Sequence, residues 1–164
     1  AYILEASSLA GGVRVIFDEA IRLKQRGHSV HIWSLGEPPK WYDIGDVHWM
    51  QFPSYEAMLN YMKSDGKGIN KVATWWRTAS VLKQSTPKEP YYLVQDDERY
   101  YYSSAVQKHT AGETYAYGFK MFTTSHWVER NVNKLARWRD RLKYRVYLGT
   151  DPAVWHALKD NNER

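Results

Sequence analysis

Apolar and polar positions alternate along this chain in two rhythms. Tyr2-Ile3-Leu4-Glu5-Ala6 opens it with an apolar run of strand length. Val13, Ile16, Phe17, Ala20 and Leu23 then recur at helical spacing, with Arg14, Asp18, Glu19, Arg22 and Lys24 on the outward face. This spacing predicts a helix over 13–26, stopped by Gly27 in the left-handed conformation that follows many last turns. Ser29 to Ser34 alternates with period two and reads as a second strand. Beyond Pro38 and Pro39, residues 47–52 read as a third. Ser54 is placed to cap a helix with Glu56 in its first turn, an apolar face of Tyr55, Met58, Leu59 and Met62, and a stop at Asp65-Gly66-Lys67-Gly68. A strand at 71–75, a short helix at 77–84, a strand at 91–95 and a helix over about 101–117 follow. A strand at 119–124, a helix capped by Ser125 and running to about Leu135, and a strand at 144–148 complete the order.

Strands alternating with helices predict βαβ units. The expected fold is α/β, a Rossmann-like three-layer α/β/α domain with a mostly parallel sheet. A chain of 164 residues suits one such domain with a real core. Open sheets of this kind hold ligands beyond the carboxyl ends of their strands. That rule points to Ser7–Gly12, Trp76–Thr78, Gln95–Tyr100 and Ser125–His126.

Gly11-Gly12, between a strand and a helix, lets backbone approach a ligand and aims helix N–H groups at an anion; a plain tight turn is the alternative. No Gly-x-Gly-x-x-Gly and no Gly-Lys-Ser/Thr follows, so classical dinucleotide binding and phosphate-loop hydrolysis are disfavoured. Asp96, Asp97 and Glu98 crowd one strand end, where mutual repulsion raises pKa values or calls for a cation. One of them is a candidate to hold a sugar hydroxyl or act as a general base. Trp76 and Arg77 offer an indole face and a guanidinium, with Trp75 assigned to the core by alternation. Among Tyr100, Tyr101 and Tyr102 one face packs and another meets a cleft. His126 is a weaker binding candidate, since a lone His there also serves as a packing residue. No metal-ligand spacing and no Gly-x-Ser-x-Gly elbow is present.

Composition adds three points. The 8 Trp and 13 Tyr suit either a contact surface or a tyrosine-rich core rim. The chain has no cysteine, so thiol chemistry is excluded, and no apolar run is long enough to span a membrane. The net charge of +5 gathers in Arg130, Lys134, Arg137, Arg139, Arg141, Lys143 and Arg145, either a solvated surface or an attractor of phosphate, anionic lipid or nucleic acid.

Several segments in this order resemble glycosyltransferase family 4, of the GT-B type. They are Gly11-Gly12-Val13-Arg14-Val15-Ile16, Arg26-Gly27-His28-Ser29-Val30, Val72-Ala73-Thr74-Trp75-Trp76-Arg77-Thr78-Ala79, Tyr92-Leu93-Val94-Gln95-Asp96 and Val146-Tyr147-Leu148-Gly149-Thr150-Asp151. The Val-Gln-Asp segment with its tyrosines is most similar to bacterial rhamnosyltransferase-like members that build surface polysaccharides. The resemblance implies retaining transfer of a sugar from a nucleotide-sugar donor to a glycan or lipid-linked acceptor. It implies two Rossmann-like halves, of which residues 1–150 would be the N-terminal, acceptor-side one. Gly11 and Gly12 would then approach the donor phosphates. Asp96 would stand at the meeting of acceptor and transferred sugar, where family members commonly carry a His. Trp76, Arg77, Arg99, Tyr100 and His126 would shape the acceptor site.

Residues 151–164 would begin a linker towards a donor-binding half that the sequence does not include, so this domain alone is expected to show little or no transfer. No cofactor and no metal are expected. The rival expectation is a non-catalytic Rossmann-like module that binds carbohydrate or phosphate. Nucleic acid is not expected as a partner; binding of it through the 130–145 basic segment is the least favoured reading. That cluster adds an anionic membrane surface as a candidate contact. The location expected is cytoplasmic, with a peripheral place at the inner membrane if that contact forms.

Overall fold

The computed structural model describes residues 1–87, 89–135 and 144–146. In chain order the elements are β1 (Tyr2–Leu4), α1 (Gly11–Gln25), β2 (His31–Ser34), β3 (His48–Gln51), α2 (Tyr55–Lys63), β4 (Lys71–Ala73) and α3 (Trp76–Gln84). There follow β5 (Pro90–Val94), a 3-10 turn (Glu98–Tyr101), α4 (Ala105–Thr114), β6 (Lys120–Thr123), α5 (His126–Asn133) and β7 (Tyr144–Arg145). The strands form one sheet in the order β3-β2-β1-β4-β5-β6-β7, and every pairing is parallel. The fold is therefore α/β and Rossmann-like.

Period-two alternation sends successive side chains to opposite faces. Ile3, Trp33, Ala73, Tyr92 and Val94 join one apolar cluster, with Met58 and Met62 of α2, Leu82 of α3 and Val128 and Val132 of α5. Tyr2, Leu4, Ile32 and Leu93 join the other, with Ile16, Phe17 and Ala20 of α1. Trp41, Tyr42 and Ile44, from the connection between β2 and β3, complete that second face.

Helix ends follow the chemistry of their capping residues. Gly27 has φ +86° just past α1, the left-handed stop its position predicts. Ser54 accepts a hydrogen bond from Ala57 N and Ser125 accepts one from Val128 N, so both serine caps form. Two details differ from the pattern. Glu19, expected to face outward, is half-buried and accepts a 3.0 Å bond from the Tyr2 hydroxyl, because β1 presents that tyrosine to α1. The expected helix over 101–117 is shorter: Tyr101 ends the 3-10 turn, and α4 begins only at Ala105 and ends at Thr114. Residues 151–164 and basic residues Arg137, Arg139, Arg141 and Lys143 lie outside the described residues.

Candidate functional site

The strand order reverses direction between β1 and β4: β2 and β3 extend the sheet one way, β5 and β6 the other. Connections leave such a point on opposite sides and open a crevice at the carboxyl ends of the strands. A cleft of about 520 Å³ lies there. Glu5, Ala6, Ser8 and Ala10 after β1, the start of α1, Thr74 and Trp75 after β4, and Gln95, Asp96, Glu98 and Tyr101 after β5 contribute to its lining.

Helix α1 starts beneath this cleft without a side-chain cap and without an acid in its first turn. Its first helical bond runs from Arg14 N to Ala10 O at 3.0 Å, so the N–H groups of Gly11, Gly12 and Val13 precede it. Gly12 is needed for contact. Gln95 Nε2 donates to Gly12 O at 3.0 Å, and a Cβ on Gly12 would stand 3.2 Å from that nitrogen. Gly11 has open space where its Cβ would be. The loop before the helix is braced from outside: Trp41 Nε1 donates to Ser7 O at 2.7 Å, and Ser7 Oγ to Glu37 O at 2.6 Å.

Among the described residues, three carboxyl groups line the cleft, and no Lys, Arg or His does. Glu5 accepts from Arg77 Nη1 at 2.7 Å and from the Tyr55 hydroxyl at 2.9 Å; burial, helped by that contact, pushes the Tyr55 phenol far up. Asp96 accepts from Asp97 N at 2.7 Å and from the Tyr101 hydroxyl at 2.8 Å. Burial, helped by the Asp96 bond, pushes Tyr101 up to about 12. Glu98 is 2% exposed and accepts from Trp76 N at 2.6 Å and the Tyr92 hydroxyl at 3.0 Å. Burial pushes its carboxyl up to about 8, the two hydrogen bonds opposing and Asp97 and Asp96 adding to the rise. Asp97, fully buried, does not face the cleft; Arg99 Nε and Nη2 clamp it at 2.8 and 2.6 Å.

Of the residues singled out from sequence, the cleft brings together Gly11, Gly12 and Asp96. Arg77 stands behind it, holding Glu5. Trp76 does not line it: its indole N–H donates to the Tyr102 hydroxyl at 2.7 Å, and Arg77 lies over its ring. Trp75, assigned to the core by alternation, lines the cleft instead, because β4 ends at Ala73 and the extended Trp75 caps α3. Arg99 and Tyr100 line a separate groove beside α4. His126 lines neither, and Arg145 Nη1 donates to its Nε2 at 2.6 Å. Glu5, Trp75, Gln95 and Tyr101 carry no sequence signal stronger than their place next to strand ends. Glu98 was visible only as one of three adjacent acids. No model of a known protein family matches the chain, and no curated protein is significantly similar to it.

Proposed function

We propose that this domain is the acceptor-side half of a retaining glycosyltransferase that moves a sugar from a nucleotide-sugar donor to a glycan or lipid-linked acceptor. The observation that carries the reading is the cleft at the sheet's reversal point, lined by the uncapped start of α1 and by three carboxyl groups. A lining of carboxyls, a glutamine and a tryptophan favours a ligand rich in hydroxyls, each of which donates a hydrogen bond that a carboxyl accepts. The N–H groups of Gly11, Gly12 and Val13 suit the edge of a diphosphate. Asp96 is the residue assigned to the reacting hydroxyl, and Arg77 and Tyr55 position Glu5 beside it. The anionic membrane contact belongs to this reading as the place where a lipid-linked acceptor would be met.

The native gene product, incubated with a panel of nucleotide sugars and lipid-linked or oligosaccharide acceptors, should transfer sugar or hydrolyse donor. Asp96→Ala should lower kcat/KM by about a hundredfold or more, the range of a lost proton-transfer group. Absence of both transfer and hydrolysis with every donor would sink the reading. One observation favours a binding module instead: both Asp96 oxygens are already engaged, one by backbone and one by Tyr101. Turnover unchanged in Asp96→Ala would remove Asp96 from catalysis, and sugar binding by a protein that never turns over would select that alternative.

A further inference from the structure

On the far side of the Glu98–Tyr101 turn from the cleft, Arg99, Tyr100 and α4 enclose an open groove of about 560 Å³. We infer that this groove is a second carbohydrate subsite, in which a pyranose ring stacks on Tyr100, which lines it, and on Trp127, which pairs with Tyr100 beside it. The inference does not depend on the transferase reading and concerns binding alone.

The two rings are presented by rigid parts of the fold. Tyr100 sits in a turn fixed from below by the Asp97–Arg99 clamp and by Glu98 N, which donates to the Tyr115 hydroxyl at 2.9 Å. Trp127 follows the Ser125 cap, and because α5 buries Val128 and Val132, its indole is turned outward. The ring centroids are 5.6 Å apart at a tilt of 40°, with Tyr100 69% and Trp127 45% exposed. Neither the Tyr100 hydroxyl nor the Trp127 indole N–H makes a hydrogen bond among the described residues. Large aromatic surface left open with free polar tips marks a contact site.

The rest of the groove has the chemistry of a polyol partner. A sugar presents an apolar C–H face with positive edges, which the negative face of an aromatic ring attracts. Around that face it presents hydroxyls that both donate and accept. The rim supplies both kinds of partner: the Lys108 ammonium as donor, the Glu113 carboxylate as acceptor, and His109, 3.4 Å from Glu113, between them. Gly112 is buried beneath the groove, where a Cβ would stand 3.2 Å from Arg99 Cδ and 3.5 Å from Leu135 Cδ1, so those two side chains close over α4. Eight residues line the groove, against about 20–30 a side in a stable protein interface, so its size fits a short glycan better than a second copy of the chain.

The test is binding of the protein to an array of neutral and acidic oligosaccharides with no nucleotide sugar present, followed by titration calorimetry with the best-retained glycan. Tyr100→Ala and Trp127→Ala should each weaken binding about tenfold, whereas Tyr100→Phe, which keeps the ring, should stay within about threefold. Both aromatics are surface residues, and circular dichroism of each variant confirms that it is folded. Retention of no glycan by the folded wild type overturns the inference. So does a folded Tyr100→Ala and Trp127→Ala pair that binds as wild type, and so does binding only to lipid vesicles. Each of these results is read without turnover, so none depends on whether the cleft transfers sugar.

Discussion

Glu98 shows how one side chain can be decided by its surroundings. Its neighbours in sequence are acids, yet the three behave differently. Asp97 is neutralised by Arg99, Asp96 meets a tyrosine, and Glu98 is buried with no cation and two hydrogen-bond donors. Because its carboxyl is pushed from 4.5 to about 8, the folded protein keeps a proton there that the unfolded chain releases above pH 4.5. The stability this contributes is complete below pH 4.5 and is lost as pH rises through about 8. Glu98→Gln resembles the protonated acid: its oxygen can accept from Trp76 N while its amide donates to the Tyr92 oxygen. Thermal melts from below pH 4.5 to above pH 8 should show the wild type losing stability relative to the variant as pH rises. A pH-independent difference between the two would contradict this account. Asp-Asp-Glu as a string signalled a raised pKa but not at which residue, since the order of acids does not say which one the backbone turns inward.

Elements were largely legible, because each depends on neighbours in sequence. Both serine caps formed where a Ser precedes an amphipathic run. Ser54→Ala and Ser125→Ala should each cost about 1 kcal/mol, measured by urea unfolding. The loss should be absent for a serine outside a cap, such as Ser103. Gly66 shows where local reading stops. The sequence marks it as the end of a helix, but the structure also packs it against β2, where a Cβ would stand 2.8 Å from the Trp33 ring and 3.1 Å from Tyr61. Lys71 Nζ also donates to its carbonyl at 2.6 Å. Trp33 lies more than thirty positions upstream in β2, so no window around Gly66 contains that contact. The late start of the helix expected over 101–117 has the same origin. The turn at Glu98–Tyr101 before it is held by long-range bonds to Tyr115 and Trp76.

At the scale of the whole molecule, one sheet divides two apolar clusters, and single strands feed both: Ile3 enters one while Tyr2 and Leu4 enter the other. Neither face can lose its packing without exposing strands that the other needs. Urea unfolding followed by far-ultraviolet circular dichroism and by tryptophan fluorescence should therefore give coincident transitions. Separate midpoints would show that α1 and its face unfold independently. The same sheet makes the cleft, since its strand order reverses beside α1. The sequence by itself determined the alternation of strands and helices, the parallel α/β class, the caps, and a glycine pair at the start of α1. These follow from periodicity and local hydrogen bonding, which act over a few residues. Only the tertiary structure decided that Trp75 and not Trp76 lines the cleft, that Arg77 serves Glu5, and that Arg99 and Tyr100 belong to a different groove. The side of a strand end on which a side chain emerges depends on where the strand stops and what packs over it, and those partners lie far away in the chain.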